Sequence, residues 1–140
     1  MKLNPLLLLF AVALSGCSGS PPTKISERFD LCAALPANAR YTLTTRGPDY
    51  EMGRLNVRND VIEVYSGYQP DFPRRVAKTI SQVSGHFQLA DTARTGPTQK
   101  VLLWRKPTPD DAPLLVVLEG RDVLAALPSI QHPGVVASCP

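Results

Sequence analysis

The chain is poor in the residues that most often carry chemistry. Its 140 residues include two histidines, His86 and His132, far apart in sequence, and three cysteines. It has no Cys-x-x-Cys or His-x-x-x-His spacing, so no familiar metal set forms locally. Gly-x-Ser-x-Gly and His-Glu-x-x-His are also missing, which removes the usual marks of a serine hydrolase or a zinc protease. An enzyme would need scattered residues gathered by the fold, such as His86 or His132 beside aspartates. Charge of one sign is lacking too. Past residue 16 the chain has fourteen basic and twelve acidic side chains, too even for the clustered basic face of a nucleic-acid binder. The longest apolar run, residues 6–14, falls short of the roughly 20 that a spanning helix needs. No internal repeat is present.

What the chain does have begins at its start. Lys2 precedes the apolar run, and Leu14-Ser15-Gly16-Cys17 closes it. A positive end, a short apolar stretch and small residues describe an export signal. Pro5 and the abrupt shift to Ser18-Gly19-Ser20 argue against a buried helix of the fold. The Leu14-Ser15-Gly16-Cys17 run resembles the lipobox of bacterial lipoproteins. The resemblance implies cleavage before Cys17 and lipid, palmitate-type acyl chains included, on that cysteine. The bilayer is then the first partner. Two or more acyl chains anchor stably, at about 0.8 kcal/mol per buried CH₂. Ser18 in place of an aspartate after the cysteine leans, by the same resemblance, towards the outer membrane.

These boundaries set the expected organisation: residues 1–16 a cleaved signal peptide, 17–23 a lipidated cysteine with a Ser/Gly/Pro tether, and 24–140 one small domain. The domain's length suits a single core. Cys32 and Cys139 remain once Cys17 is modified. In an oxidising compartment an even pair reads as a disulfide, with two buried thiols as the alternative.

Along the domain, Ile25, Phe29 and Cys32 recur at i, i+4 and i+7, and Pro36 follows. This predicts a helix over 24–35. Residues 40–46 alternate and predict a strand, followed by a turn at Gly47-Pro48-Asp49. Leu55 and Val57 before Asn59-Asp60, with Ile62 and Val64 after, predict a hairpin. A turn at Asn59-Asp60 would pair Val57 with Ile62 and Leu55 with Val64. Residues 66–75 hold two prolines and a glycine beside Tyr68, Phe72, Arg74 and Arg75. Either the aromatics plug the end of the sheet, or the four residues form a partner-binding surface, since Tyr and Arg are enriched at hot spots.

Val76, Ile80 and Val83 suit either a helix or a strand, and residues 82–89 alternate as a strand with His86 on the polar side. Residues 91–99 predict a polar loop. Residues 100–105 predict a strand, with Val101 and Leu103 on one side and Leu102 and Trp104 on the other. Trp104 is expected in the core; a stacking platform would require it exposed. Asp110-Asp111 falls short of a Ca²⁺ site, which takes about 6–8 oxygens, and reads as a solvated turn. Leu114-Leu115-Val116-Val117-Leu118 reads as a strand covered on both faces. Asp122 is placed to cap a short helix ending at Leu127. The tail has little pattern of its own.

The pieces sum to an α+β fold: a small, mostly antiparallel sheet of about five or six strands with one or two short helices. The sequence implies no cofactor and no metal. The preferred expectation is a non-enzymatic, membrane-anchored accessory or protein-binding module of the envelope, facing the periplasm, whose partner is another envelope protein. The alternative is a periplasmic inhibitor or immunity protein acting on a toxin or lytic enzyme.

Overall fold

A computed structural model describes residues 21–68, 87–105 and 114–140. Cys17, Phe72, Arg74, Arg75, His86, the 76–84 segment and Asp110-Asp111 lie outside the described residues.

Two antiparallel sheets make the fold. The strands are β1 (Thr23–Ser26), β2 (Leu31–Ala33), β3 (Arg40–Arg46), β4 (Tyr50–Val57), β5 (Asp60–Gly67), β6 (Phe87–Thr95), β7 (Thr98–Arg105), β8 (Leu114–Gly120) and β9 (Val136–Ser138). The large sheet has the order β3-β4-β5-β8-β7-β6, and the small one β1-β2-β9. A one-turn helix, α1 (Val123–Ala126), and a 3₁₀ turn at Pro128–Gln131 follow β8. The expected fold class holds. The small sheet is the addition, built from stretches expected to be a helix and an unpatterned tail.

The predicted helix over 24–35 is replaced by β1, a tight turn and β2. Ile25, Phe29 and Cys32 do share helical spacing, but tertiary partners claim the backbone. Ser26 Oγ accepts from the Phe29 N–H at 3.2 Å, and Asp30 adopts a left-handed φ of 51°. That closes the turn. β2 then pairs with β1 on one side and β9 on the other, which no helix permits. The predicted loop over 91–99 is also corrected. β6 runs to Thr95, Gly96 takes a φ of 58°, and β7 begins at Thr98. β6 is an edge strand with a register shift between Leu89 and Asp91. A solvated edge needs no apolar alternation, so the sequence gives little sign of it.

The β4–β5 hairpin forms one step away from the predicted register. Val57 pairs with Asp60, Leu55 with Ile62, and Gly53 with Val64. The turn residues are Arg58-Asn59, and Arg58 carries the positive φ of 56°. All four expected apolar residues still share one face and are buried at about 1% exposure. The shift moves each pairing by two residues, and two residues is the period of a strand. The observed register also sets Arg54 against Glu63, with Nε 2.7 Å from the carboxylate.

The main core fills the space between the inner face of the large sheet, the small sheet and the helical turns. Ile25, Leu31 and Val136 meet Leu55, Ile62, Val116, Leu127 and Ile130 there. A second cluster lies on the outer face. It holds buried Leu102, Leu115 and Val117, with Tyr65, Ala90 and Trp104 packed against them. Leu114 to Leu118 is therefore buried on both faces, as its continuous apolar run requires. Trp104 joins that outer cluster, half-buried.

Candidate functional site

Three arrangements bear on function, and all involve the β1–β2 turn or the strand that follows it. The first is the disulfide. Cys32 and Cys139 have sulfurs 2.11 Å apart and Cα atoms 4.9 Å apart, across 107 residues of chain. β2 sets Cys32 opposite Ala137, and the Cys139 N–H donates to Asp30 O at 2.8 Å. Strand pairing thus brings the cysteines together and the bond closes the chain's end onto its start.

The second is a buried carboxylate that the sequence reading missed. Glu51 has a side chain with 0% exposure. Its Oε1 accepts from the Glu27 N–H at 2.8 Å and the Tyr41 hydroxyl at 3.2 Å. Its Oε2 accepts from the Arg28 N–H at 3.0 Å and from Arg46 Nη2 at 3.2 Å. Burial alone would raise its pKa. The two backbone donors, Tyr41 and Arg46 outweigh burial and hold the carboxyl below its ordinary value. Tyr41 shows the reciprocal effect. Burial first, and the adjacent Glu51 charge next, push its phenol well above the ordinary range. Arg46 is held further into its charged form by hydrogen bonds to Glu27 and Glu51, against a small desolvation cost.

Gly53 makes the cluster possible. A Cβ there would lie 2.2 Å from the Tyr41 ring, so only glycine lets that ring lie across the strand towards Glu51. A signal for Glu51 was present in the sequence: it occupies the same strand parity as Leu55 and Val57, on the apolar face. With four donors on its two oxygens, the carboxylate has no lone pair turned to a substrate. Its chemistry is to hold the β1–β2 turn against the β3–β4 hairpin. Ser66, opposite Glu51 in β5, is buried and its hydroxyl has no hydrogen-bond partner among the described residues.

The third arrangement is an aromatic tip. Tyr68, just past β5, is 41% exposed. Its ring meets Phe29 edge-on at 5.6 Å, and Phe29 sits in the β1–β2 turn beneath the Arg28 guanidinium, 5.9 Å from the ring centroid. Arg28 donates to Gly47 O at 3.0 Å and also to Pro48 O. The turns at 27–30 and 47–49 and the end of β5 therefore converge. Of the four residues expected to form a surface, Tyr68 is described and exposed. Phe29, its ring partner, and Arg28, which covers Phe29, come from a stretch expected to be helical.

His132 is exposed at the end of the 3₁₀ turn, with its N–H bonded to Ser129 O. No group of three or more His, Cys, Asp or Glu positioned to hold a metal occurs among the described residues. No described helix is long and apolar enough to cross a membrane. No protein-family profile, curated protein or solved structure matches this chain.

Proposed function

We propose that this chain is a lipoprotein of the bacterial envelope, anchored through acylated Cys17, whose domain is a non-enzymatic accessory or protein-binding module. The observation that carries the reading is the exposed Tyr68 held edge-on by Phe29, whose own ring lies under Arg28. A large ring braced by a second ring that is itself covered by a cation is preorganised for contact, and Tyr and Arg are enriched at interface hot spots. Its placement suits an anchored protein. The chain enters β1 at Thr23, a short tether beyond Cys17, and β1 leads directly to the turn that bears Phe29. Four strand residues span roughly 13 Å, so the tip stands off from the point of attachment. The lipid anchor itself rests on the lipobox resemblance.

Two measurements test the reading. Intact mass of protein from membranes should show a lipid-sized gain that Cys17→Ala abolishes. A photo-crosslinking residue in place of Tyr68 should join the protein to a discrete envelope partner, and Phe29→Ala should weaken that product. An unlipidated protein removes the anchor. A Tyr68 position that crosslinks to nothing discrete removes the surface.

A further inference from the structure

The register divides the outer face of the large sheet into two halves. Arg54, Glu63, Glu119 and Lys100 stand side by side across four strands. Arg54 pairs with Glu63 at 2.7 Å and Lys100 with Glu119 at 3.3 Å, so this half meets water. Beside that row come Tyr65, Val117 and Leu102, and then Leu115 and Trp104. Leu102 is 0% exposed, and Leu115 and Val117 are each 5% exposed. The residues packed against them, Tyr65, Ala90 and Trp104, belong to the same sheet. Side chains stand roughly perpendicular to a sheet, so neighbours in the sheet flank these three without lying over them. An antiparallel sheet with an open face leaves such positions wet. Part of this same chain therefore lies over the patch.

The topology points to which part. β5, β8, β7 and β6 are neighbours in that order, each antiparallel to the next. β5 therefore ends and β6 begins at the same end of the sheet, three strand spacings or roughly 14 Å apart. Residues 69–86 join the two ends, and a chain of that length reaches roughly 60 Å when extended. The patch lies between the two points of attachment. Leu115 pairs with Gly67 at the end of β5, and Trp104 pairs with Gln88 at the start of β6. The inner face at that end is already occupied, by Phe29 against Tyr68 and by the Gly134 N–H on Phe87 O. Tyr65, Asp91 and Lys100 lie on the outer face around the patch, and each has a further interaction partner.

We propose that the outer face of β8 and β7 is the docking surface for residues 69–86, which bury Leu102, Leu115 and Val117 beneath Val76, Ile80 and Val83. Those three recur at i, i+4 and i+7 and supply the apolar stripe that such a face needs. Other occupants fit less well. Residues 106–113 join two neighbouring strands and offer prolines and Asp110-Asp111. Residues 17–22 are short and polar. A second copy is not required, because the patch is buried within one chain. The consequence for function is that the outer face, Trp104 included, is closed to a partner, which leaves the Tyr68 tip. The inference stands independently of the binding-module reading.

The test uses the full-length protein in detergent. A photoreactive diazirine leucine in place of Ile80 should cross-link, within one chain, to residues 102–104 or 115–117. The same probe in place of Pro107 should not. Trp104 is the chain's single tryptophan, so its emission reports on the patch. Ile80→Ser should raise acrylamide quenching of Trp104 by about twofold or more. Val61→Ser, at an open position of the same face, should change it by less than about 1.2-fold. Hydrogen exchange at β4 and β5 reports that each variant is folded. Cross-links from position 80 to the inner core, or to nothing, overturn the proposal, as does unchanged quenching in a folded Ile80→Ser. Capture of the patch from position 107 instead overturns it in favour of the shorter connection, and cross-links between chains overturn it in favour of a second copy. Should Ile80→Ser fail to fold, the position-80 cross-link decides by itself.

Discussion

At Glu51 one side chain ties two segments together that are separated by more than twenty residues. Removing its charge while keeping its shape tests how much that tie contributes. Glu51→Gln leaves an amide NH₂ facing backbone donors, and breaking a buried charged network costs about 3–5 kcal/mol. We expect a loss of about 2–4 kcal/mol by urea unfolding, with the slope unchanged. A loss below about 0.5 kcal/mol would place Glu51 among ordinary surface-like substitutions. The pH dependence follows from the depressed pKa. The unfolded chain binds a proton more readily than the folded one. Glu51's contribution is therefore present above the ordinary carboxylate pKa and is lost as pH falls through the lower folded value. The acid limb of a stability–pH curve should flatten in Glu51→Gln. Tyr41 behaves oppositely: its contribution is fully present below the ordinary phenol pKa and is lost as pH rises from there through the raised folded value. Gly53→Ala should act through the same cluster, because its Cβ would displace the Tyr41 ring. In a double-mutant cycle with Tyr41→Ala the two changes should be non-additive. Additivity would mean that Gly53 matters for another reason.

At the scale of the element, α1 shows how a short helix is held by its surroundings. The sequence offers Asp122 as the cap, and Asp122 does occupy that position, but its side chain makes no cap hydrogen bond. It faces Arg94 Nη2 at 3.6 Å instead. The cap is Gln99, buried in β7, whose Oε1 accepts from the Leu124 N–H at 3.1 Å. Gln99→Ala should therefore cost about 1 kcal/mol, the usual worth of a cap, and Asp122→Ala less than about 0.5 kcal/mol, the usual worth of an exposed pair. Thermal unfolding of both variants checks this, and the reverse order would return the cap to Asp122. The β4–β5 hairpin makes a second point at this scale. Its apolar parity was fixed by alternation, whereas its register was fixed by what each residue meets, Arg54 with Glu63 and Leu55 with Ile62.

The whole molecule is closed by the disulfide. β9 has three residues and, among the described strands, pairs with β2 alone, so the C-terminal segment depends heavily on the bond. A cross-link spanning 107 residues restricts the unfolded chain by about 4–5 kcal/mol in the chain-entropy argument. Cys32→Ala with Cys139→Ala should lose up to that amount, and hydrogen exchange at β9 and β1 should rise before exchange at β5 and β8. Uniform loss of protection would instead make the two sheets one cooperative unit.

The sequence by itself determined the elements whose signal is local. Alternation in 40–46, 55–64 and 100–105, and the continuous run in 114–118, marked five strands, and in 55–64 it also marked the face turned inward, because burial on one face imposes a two-residue period. The even pair left once Cys17 is set aside made a Cys32–Cys139 disulfide the expectation, with two thiols as the alternative, and the structure joins the two. Only the tertiary structure decided what depends on partners distant in sequence. It turned 24–35 from helix to hairpin, since β9, Cys139 and Glu51 supply the pairing and the hydrogen bonds that a helix would have made within itself. It made strands of the polar stretch at 91–99, since an edge exposed to water needs no apolar period. It joined Phe29 to Tyr68, because residues about forty apart meet only when two turns converge on one end of the sheet.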